Sequence, residues 1–405
     1  MDIAGSIPLA VLFATALLLA RAWMVTDASR LAIARLARLA GPSAGHVLFG
    51  YTFAVAGLSL VIPNFVAAMA ATPFIARLVK GFRLDGAAHR SVTTAFAAAC
   101  MWAANVGGKG SLVGSPSNAI LVGYLQGAAV PGREAVTYLT WLAFGLPMSL
   151  LLALAVWALL RVGFAGALTH AAPNSEVLRD QGASANTRAV WRLTGMFLCY
   201  WLAASVAQGL FGERAEWPMV VGALLFGAWL MLRLFRNGGS DGGPLLRAAD
   251  MRAGFPWRGF LLIGVTAGAS FALVKFFAID RHAADLAASL SEAGMSGFLL
   301  LFVILLLVIL TTEIASNTVV AFTFFPVAQA VAPVLGLSPI AFLILVSVAS
   351  TAGYMTPMAT PANALVVGEV RGIRYGRLIL LGFVLDLLVA AILALWGVTV
   401  MPLIL

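Results

Sequence analysis

The chain has 405 residues, of which 62% are hydrophobic and only 10% charged. So apolar a composition excludes the ordinary soluble classes and reads as a polytopic helical membrane protein. The formal charge of +9 does not point to nucleic acid, because the basic residues sit in short loops between apolar segments, the pattern that orients membrane proteins.

In chain order, Ile7 to Val25 follows an acidic start and reads as the first membrane helix rather than a cleaved leader. Ser29 to Ala40 sets Leu31, Leu36 and Leu39 against Arg30, Arg35 and Arg38, which predicts a basic amphipathic helix at the membrane surface. His282 to Ala293 is a weaker counterpart, and both are read either as arms linking a moving domain to a fixed one or as ordinary interfacial helices. With roughly 20 apolar residues per crossing, the clear spans are 6–25, 138–161, 190–210, 217–235, 257–277 and 377–401. The stretches 90–128 and 338–368 each read as one crossing broken in the middle. The stretches 46–80 and 298–334 read as re-entrant hairpins, because their turns hold no charged loop, only Pro63-Asn64 and Ser316-Asn317-Thr318. Two full crossings joined by a tight turn are the alternative, and topology parity is the same either way.

Loop charges set the expected orientation. Arg30, Arg35, Arg38, Arg77, Lys80, Arg83 and Arg90 flank the first hairpin, and Arg161, Arg179, Arg188 and Arg192 mark the next cytoplasmic loop. Arg233, Arg236, Arg247, Arg252 and Arg258 mark the third, and Arg371, Arg374 and Arg377 the last. The intervening loops are acidic or neutral: Arg133-Glu134, then Glu213-Arg214-Glu216, then Asp280 through Glu292. The order hairpin, broken helix, helix therefore recurs with opposite sense, an inverted repeat with eight crossings and both termini outside. The domain reading is 1–43 for a scaffold helix and arm, 44–163 for the first transport repeat, 164–297 for scaffold helices and the second arm, and 298–405 for the second repeat.

Polar helix breaks at membrane depth are tolerated only where they are buried in protein or line a cavity. When paired across two halves of a chain, they mark the binding site of a secondary transporter. A hairpin tip presents unpaired carbonyls from the entering helix and free amides from the leaving one. The carbonyls suit a hard cation such as sodium, and the amides suit a carboxylate or sulfate. Ser316-Asn317-Thr318 offers both sets, with Thr312 a turn earlier. Thr360-Pro361 and Ser115-Pro116 each pair an N-cap with proline at the first helical position, and Asn363 and Asn118 follow at matched places. These four breaks are expected to converge on one anion with flanking cations, through Asn64, Lys109, Ser115, Asn118, Ser316, Asn317, Thr318, Thr360, Pro361 and Asn363.

Gly107-Gly108-Lys109-Gly110-Ser111 fails as a phosphate loop, because no Ser or Thr follows the lysine directly and Ala103 stands at the first glycine position. Lys109 reads either as a fixed charge at membrane depth or as a lysine whose stem reaches the interface. Glu313 reads either as a proton or cation site or as a partner for backbone and hydroxyl donors. Cys100 and Cys199 both read as packing residues, and Trp102, Trp141 and Trp257 as packing or interfacial anchors. His46, His89, His170 and His282 are scattered and predict no metal constellation, and no nucleophile–base pair suggests an enzyme.

At these motifs the chain resembles the divalent anion:sodium symporter (DASS) family, carriers of dicarboxylates, citrate and sulfate. The resemblance runs from about residue 44 to the C-terminus. It is carried by Thr312-Glu313-Ile314-Ala315-Ser316-Asn317-Thr318 and by Tyr354 through Asn363, which is similar to a family motif ending Ala-Thr-Pro-Pro-Asn. The resemblance implies one sodium site at Ser59, Asn64 and Gly114 and another at Thr312, Ser316, Asn317 and Ala359. It also implies substrate contacts from Asn64, Asn317 and Thr318, an elevator mechanism, a homodimer, and a place in the bacterial inner membrane. Three features depart from the family pattern. Pro63 and Phe65 replace hydroxyl residues in the first tip, Lys109 brings a charge, and the first hairpin arrives about three scaffold helices early. The expected function is sodium-coupled transport of a small divalent anion, a dicarboxylate first. The alternatives are a sodium-independent exchanger with Lys109 replacing one sodium, and a non-transporting membrane scaffold.

Overall fold

The computed structural model describes residues 3–405 apart from 42, 83, 85, 170, 172–181, 240–241, 251–267, 270–271 and 275. Most of the expected span 257–277 lies outside the described residues, as do Trp257, Arg83, Arg179, Arg252, Arg258 and His170. The described part is helical, with no strand among the described residues. In chain order the helices are α1 (Ile3–Val25), α2 (Ala28–Leu39), α3 (Ala44–Ser59), α4 (Asn64–Gly81), α5 (Gly86–Gly107) and α6 (Pro116–Gly127). They continue with α7 (Tyr138–Gly163), α8 (Ala165–Thr169), α9 (Ala185–Phe211) and α10 (Glu216–Leu232). After the undescribed stretch come α11 (Ile279–Glu292), α12 (Gly297–Thr312), α13 (Asn317–Val331) and α14 (Pro339–Ala349). The chain closes with α15 (Pro361–Glu369), α16 (Tyr375–Thr399) and α17 (Met401–Ile404).

Five of the helical stretches are long and apolar enough to cross a membrane, so the chain is a multi-pass membrane protein. The helices of the two expected hairpins are shorter, apart from α4 with 18 residues. Helices α3 and α12 have 16 residues each and α13 has 15. At 1.5 Å per residue that is about 24 Å, less than the ~30 Å hydrocarbon core. Helix α9 starts at Ala185, ahead of the expected 190, because Ser184 caps its first turn through the N–H of Thr187 at 3.1 Å.

The chain forms two compact units. The first holds residues 1–114, 136–255 and 368–373; the second holds 115–135, 256–367 and 374–405. The core of the first unit is α5, in which every residue from Ser91 to Gly107 is buried. A helix buried on all sides must be small or apolar all round, and the Ala-rich run 95–104 meets that need. Small residues also let backbones approach closely. A Cβ on Gly107 would strike the carbonyl of Ala56 in α3, and one on Gly50 of α3 would come within 2.7 Å of Ala37 Cα in α2. Trp102 and Trp141 are completely buried in this unit. Cys100 is buried as expected, whereas Cys199 is exposed on α9.

The leucines of α2 divide between the packed and the exposed sides of the helix. Leu31 is buried, but Leu36 faces outward and Leu39 is 76% exposed. The face packed on the protein is built from Ala28, Leu31, Ile33, Ala34 and Ala37, with Ala37 at the close approach to Gly50. Arg35 lies with its guanidinium 5.0 Å from the ring centroid of Trp191 in α9, a cation–π contact rather than a headgroup contact.

The second unit repeats the principle. Its core is α14, buried from Ile340 through Ala349. Helix α6 belongs here, joined to α13 by Tyr124 Oη donating to Gln329 Oε1 at 3.0 Å and to α14 by Ser347 Oγ donating to Asn118 Oδ1 at 3.4 Å. Gly382 of α16 presses on the carbonyl of Tyr354, and a Cβ there would lie 2.7 Å from Met355 Cα.

Candidate ion and anion site

In the second unit α12 ends at Thr312 and α13 begins at Asn317, with Ser316 at its N-cap. Helix α14 stops after Ala349, and the chain runs non-helically from Ser350 to Thr360 before α15 starts. A stretch of that length, buried in an apolar protein, must find partners for its backbone groups. Glu313 supplies two of them: Oε1 accepts the N–H of Met355 at 2.8 Å and Oε2 that of Thr356 at 2.7 Å. Thr356 Oγ1 returns a bond to the Glu313 carbonyl at 2.8 Å. Asn363 Nδ2 donates to the carbonyls of Gly353 and Thr356, each at 3.0 Å. Thr360 caps α15 by accepting the Asn363 N–H at 3.1 Å and donates to Asn363 Oδ1 at 3.0 Å. The two readings of Glu313 are thereby separated: both carboxylate oxygens hold the backbone of the unwound segment. Gly353 sits so close to Thr312, Glu313 and Ala359 that a Cβ there would meet Thr312 Cγ2 at 3.2 Å.

The latched segment brings carbonyl oxygens to the tip. The side-chain amide of Asn317 faces Thr312 Oγ1 at 2.9 Å, the Ser350 carbonyl at 3.1 Å and the Ala359 carbonyl at 2.9 Å. Thr312 Oγ1 donates to the Ser350 carbonyl at 2.8 Å. With its nitrogen inward, Asn317 donates to all three oxygens. With its oxygen inward, Asn317 accepts from Thr312 Oγ1 at 2.9 Å and leaves the Ser350 and Ala359 carbonyls without this donor. Asn and Gln amide orientation follows from such networks, and this one turns the Asn317 nitrogen inward. Thr312, Asn317 and Ala359 are therefore together as expected, and Ser350 joins them. Ser316 is exposed and makes no side-chain bond to the helix it starts. Thr318 is 8% exposed.

The first unit carries the same spacing with different partners. Ser59 Oγ donates to the Ala104 carbonyl at 2.7 Å. Asn64, at the start of α4, donates its N–H to the Gly114 carbonyl at 2.9 Å and its Nδ2 to Asn105 Oδ1 at 3.0 Å. Its Oδ1 accepts the N–H of Phe65 at 2.9 Å. Ser59, Asn64 and Gly114 thus lie together, and the buried Asn105, which the sequence reading did not single out, is the partner of Asn64. Its signal was a lone amide near the end of an alanine-rich helix. Ser111 Oγ donates to the Leu60 carbonyl at 2.5 Å. Lys109 is completely buried, which removes the interface-reaching alternative. Its carbonyl accepts the Trp141 indole N–H at 3.1 Å.

Ser115 and Asn118, with Pro116 at the first position of α6, belong to the second unit, as do Thr360, Pro361 and Asn363. Ser115 caps α6 through the Ser117 N–H at 3.3 Å. No group of three or more His, Cys, Asp or Glu side chains able to hold a metal occurs among the described residues. The groups gathered at the second tip are neutral oxygens and one amide, a set that suits a hard ion bound weakly enough to leave.

Comparison with known proteins bears on this chemistry. A family model described as "Sodium:sulfate symporter transmembrane region" matches residues 6–405. The chain is 24% identical over 396 residues to a sodium-dependent high-affinity dicarboxylate transporter of Caenorhabditis elegans, covering 88% of this chain and 68% of that protein. It is 24% identical over 358 residues to a sodium-dependent dicarboxylate transporter of Staphylococcus saprophyticus, covering 82% and 65%. A low-affinity dicarboxylate transporter of C. elegans is 25% identical over 291 residues, covering 65% and 48%. The chain therefore spans between about half and two thirds of the length of these relatives.

Proposed function

The chain belongs to the sodium:sulfate symporter family, a family of transporters rather than enzymes, and we propose that it is a sodium-coupled secondary transporter of small carboxylate anions. The observation that carries this reading is the Asn317 amide set against the oxygens of Thr312, Ser350 and Ala359 at 2.9–3.1 Å. A sodium ion held there turns the Asn317 oxygen inward and enters as co-substrate. Dicarboxylates are the first class to test, since the relatives are sodium-dependent dicarboxylate carriers. The reading extends to an inverted repeat with two opposed re-entrant hairpins, an elevator-type cycle, a homodimer and the bacterial inner membrane. Short hairpin arms and the matched spacing of Ser59–Asn64 and Thr312–Asn317 support the repeat. Thr360 and Asn363 act by holding the unwound segment in place, and Ser115 and Asn118 by starting and seating α6.

The test is uptake of radiolabelled succinate into proteoliposomes under an inward sodium gradient. Uptake driven by sodium and abolished with potassium in its place is expected. Uptake indifferent to both, or none with any carboxylate or sulfate, would sink the proposal and leave the non-transporting scaffold. One observation favours a second reading, exchange without sodium at the first half: a completely buried Lys109 beside a tip that has lost two hydroxyls. An ammonium at membrane depth is costly unless it serves a partner or a cavity. Counterflow that proceeds in sodium-free buffer distinguishes the exchanger.

A further inference from the structure

Helix α16 runs through the second unit, and Asp386 is the only charged side chain between Leu378 and Leu405. It is completely buried, with both carboxyl oxygens enclosed by protein. A carboxyl at membrane depth is costly as a charge, and acids placed there serve ion paths or proton relays. Neither the ion site at the second tip nor the latch made by Glu313 uses it.

Its position says what it faces. Gly382 lies one turn earlier on the same face of α16, and its backbone presses on the Tyr354 carbonyl and Met355. Asp386 therefore lies along the back of the unwound segment, on a helix face shared with the buried Leu378, Leu385 and Val389. Tyr354 is 1% exposed, and its hydroxyl lies within electrostatic reach of two acids, Asp386 and Glu313. Helices α12, α14 and α17 pack on α16 and carry no titratable side chain, and the segment 350–360 brings only Tyr354. The titratable groups on Asp386's side of these elements are thus Tyr354 and, just past the end of α12, Glu313.

The two acids have different work. Glu313 spends both oxygens as acceptors, from the N–H groups of Met355 and Thr356. Two like charges in one apolar site disfavour each other, and environments that separate two acids assign their roles. We propose that Asp386 is a proton-binding site, protonated while the unwound segment is latched, and that loss of its proton loosens this segment and weakens the ion site at the second tip. Once ionised, Asp386 repels Glu313 across Tyr354, and the seam at Gly382 is the contact that this repulsion loads. The loosened form has released a proton, so raising the pH favours it. The effect on the ion site rests on the sodium reading, whereas the proton site does not.

Infrared spectra of the purified protein in sodium-free buffer test the proton directly. An ordinary aspartate is ionised at neutral pH, so a carbonyl stretch of a neutral carboxylic acid there is the signature. The band is expected in the wild type and should be missing in Asp386→Asn. Asp386→Leu, apolar and of similar volume, should lose it as well and serves should the amide not fold. No such band in the wild type, or a band that survives the substitution, overturns the proton site. Sodium titration followed by thermal shift then reads the coupling. The wild-type dissociation constant should rise with pH once the band is lost, by up to tenfold per pH unit for one linked proton, and Asp386→Asn should flatten that rise. Sodium affinity that is unchanged across the loss of the band overturns the coupling. No sodium response at any pH sinks the sodium reading and leaves the proton site standing on its infrared band.

Discussion

Glu313→Gln tests whether the carboxylate holds the unwound segment that forms the ion site. The wild-type side chain accepts two backbone N–H groups, from Met355 at 2.8 Å and Thr356 at 2.7 Å. Glutamine keeps one acceptor and turns an NH₂ toward the other N–H. One charge-assisted bond becomes neutral, and one is replaced by facing donors. Bonds to charged groups are worth about 1.5–3 kcal/mol and an unsatisfied buried donor costs about 1–3 kcal/mol, so a loss on the order of 3 kcal/mol follows. Were the whole of it to fall on the ion site, sodium affinity would drop roughly 100-fold, at 1.4 kcal/mol per factor of ten. The assay is sodium titration followed by thermal shift, because an ion that binds the native state raises apparent stability by mass action. The variant should have a lower melting temperature without sodium and a right-shifted sodium response. A variant with wild-type stability and sodium affinity but altered pH dependence of transport would refute the latch and reinstate Glu313 as a proton site.

Three further outcomes are expected. Asn317→Ala removes the group that faces three oxygens and should raise the sodium dissociation constant by roughly 10- to 150-fold, for a bond to a charged species of about 1.5–3 kcal/mol. Asn64→Ala should act mainly on stability, because its amide bonds are internal; equal effects of the two variants on sodium affinity would contradict the assignment. Lys109→Ala should abolish transport and Lys109→Arg should impair it, since a guanidinium fork does not replace a compact ammonium; uptake unchanged in Lys109→Ala would remove Lys109 from the mechanism. A single cysteine at position 64 should resist membrane-impermeant thiol reagents from the outer side, and full labelling there would refute the re-entrant first hairpin.

The helix breaks were legible because each needs a residue type that an apolar helix avoids. Proline at 116 and 361 behind Ser115 and Thr360, and amides at 64 and 317, interrupt runs that otherwise read as continuous. The partner of each break was not legible. Ser350 contributes a carbonyl oxygen, which every residue carries, so no side chain announces it, and Ala359 entered only through the family resemblance. Asn105 lies four positions before Lys109, in a stretch whose periodicity shows only burial. On α2 the amphipathic pattern marks the exposed Leu36 and Leu39 and passes over the alanines that are packed on the protein. Ala37 packs where Gly50 of the neighbouring helix has no side chain.

That same absence of side chains governs the seam between the first tip and its break. Gly107 lies against the Ala56 carbonyl, and a Cβ on Gly114 would lie 2.6 Å from the Ser59 carbonyl. These contacts are glycine against backbone, with no side chain between them, and close-packed backbone transmits displacement rather than absorbing it. The tip of the first half and the segment behind it therefore form a weld rather than a hinge. In the proposed transport cycle they are carried together, and the pivot lies elsewhere.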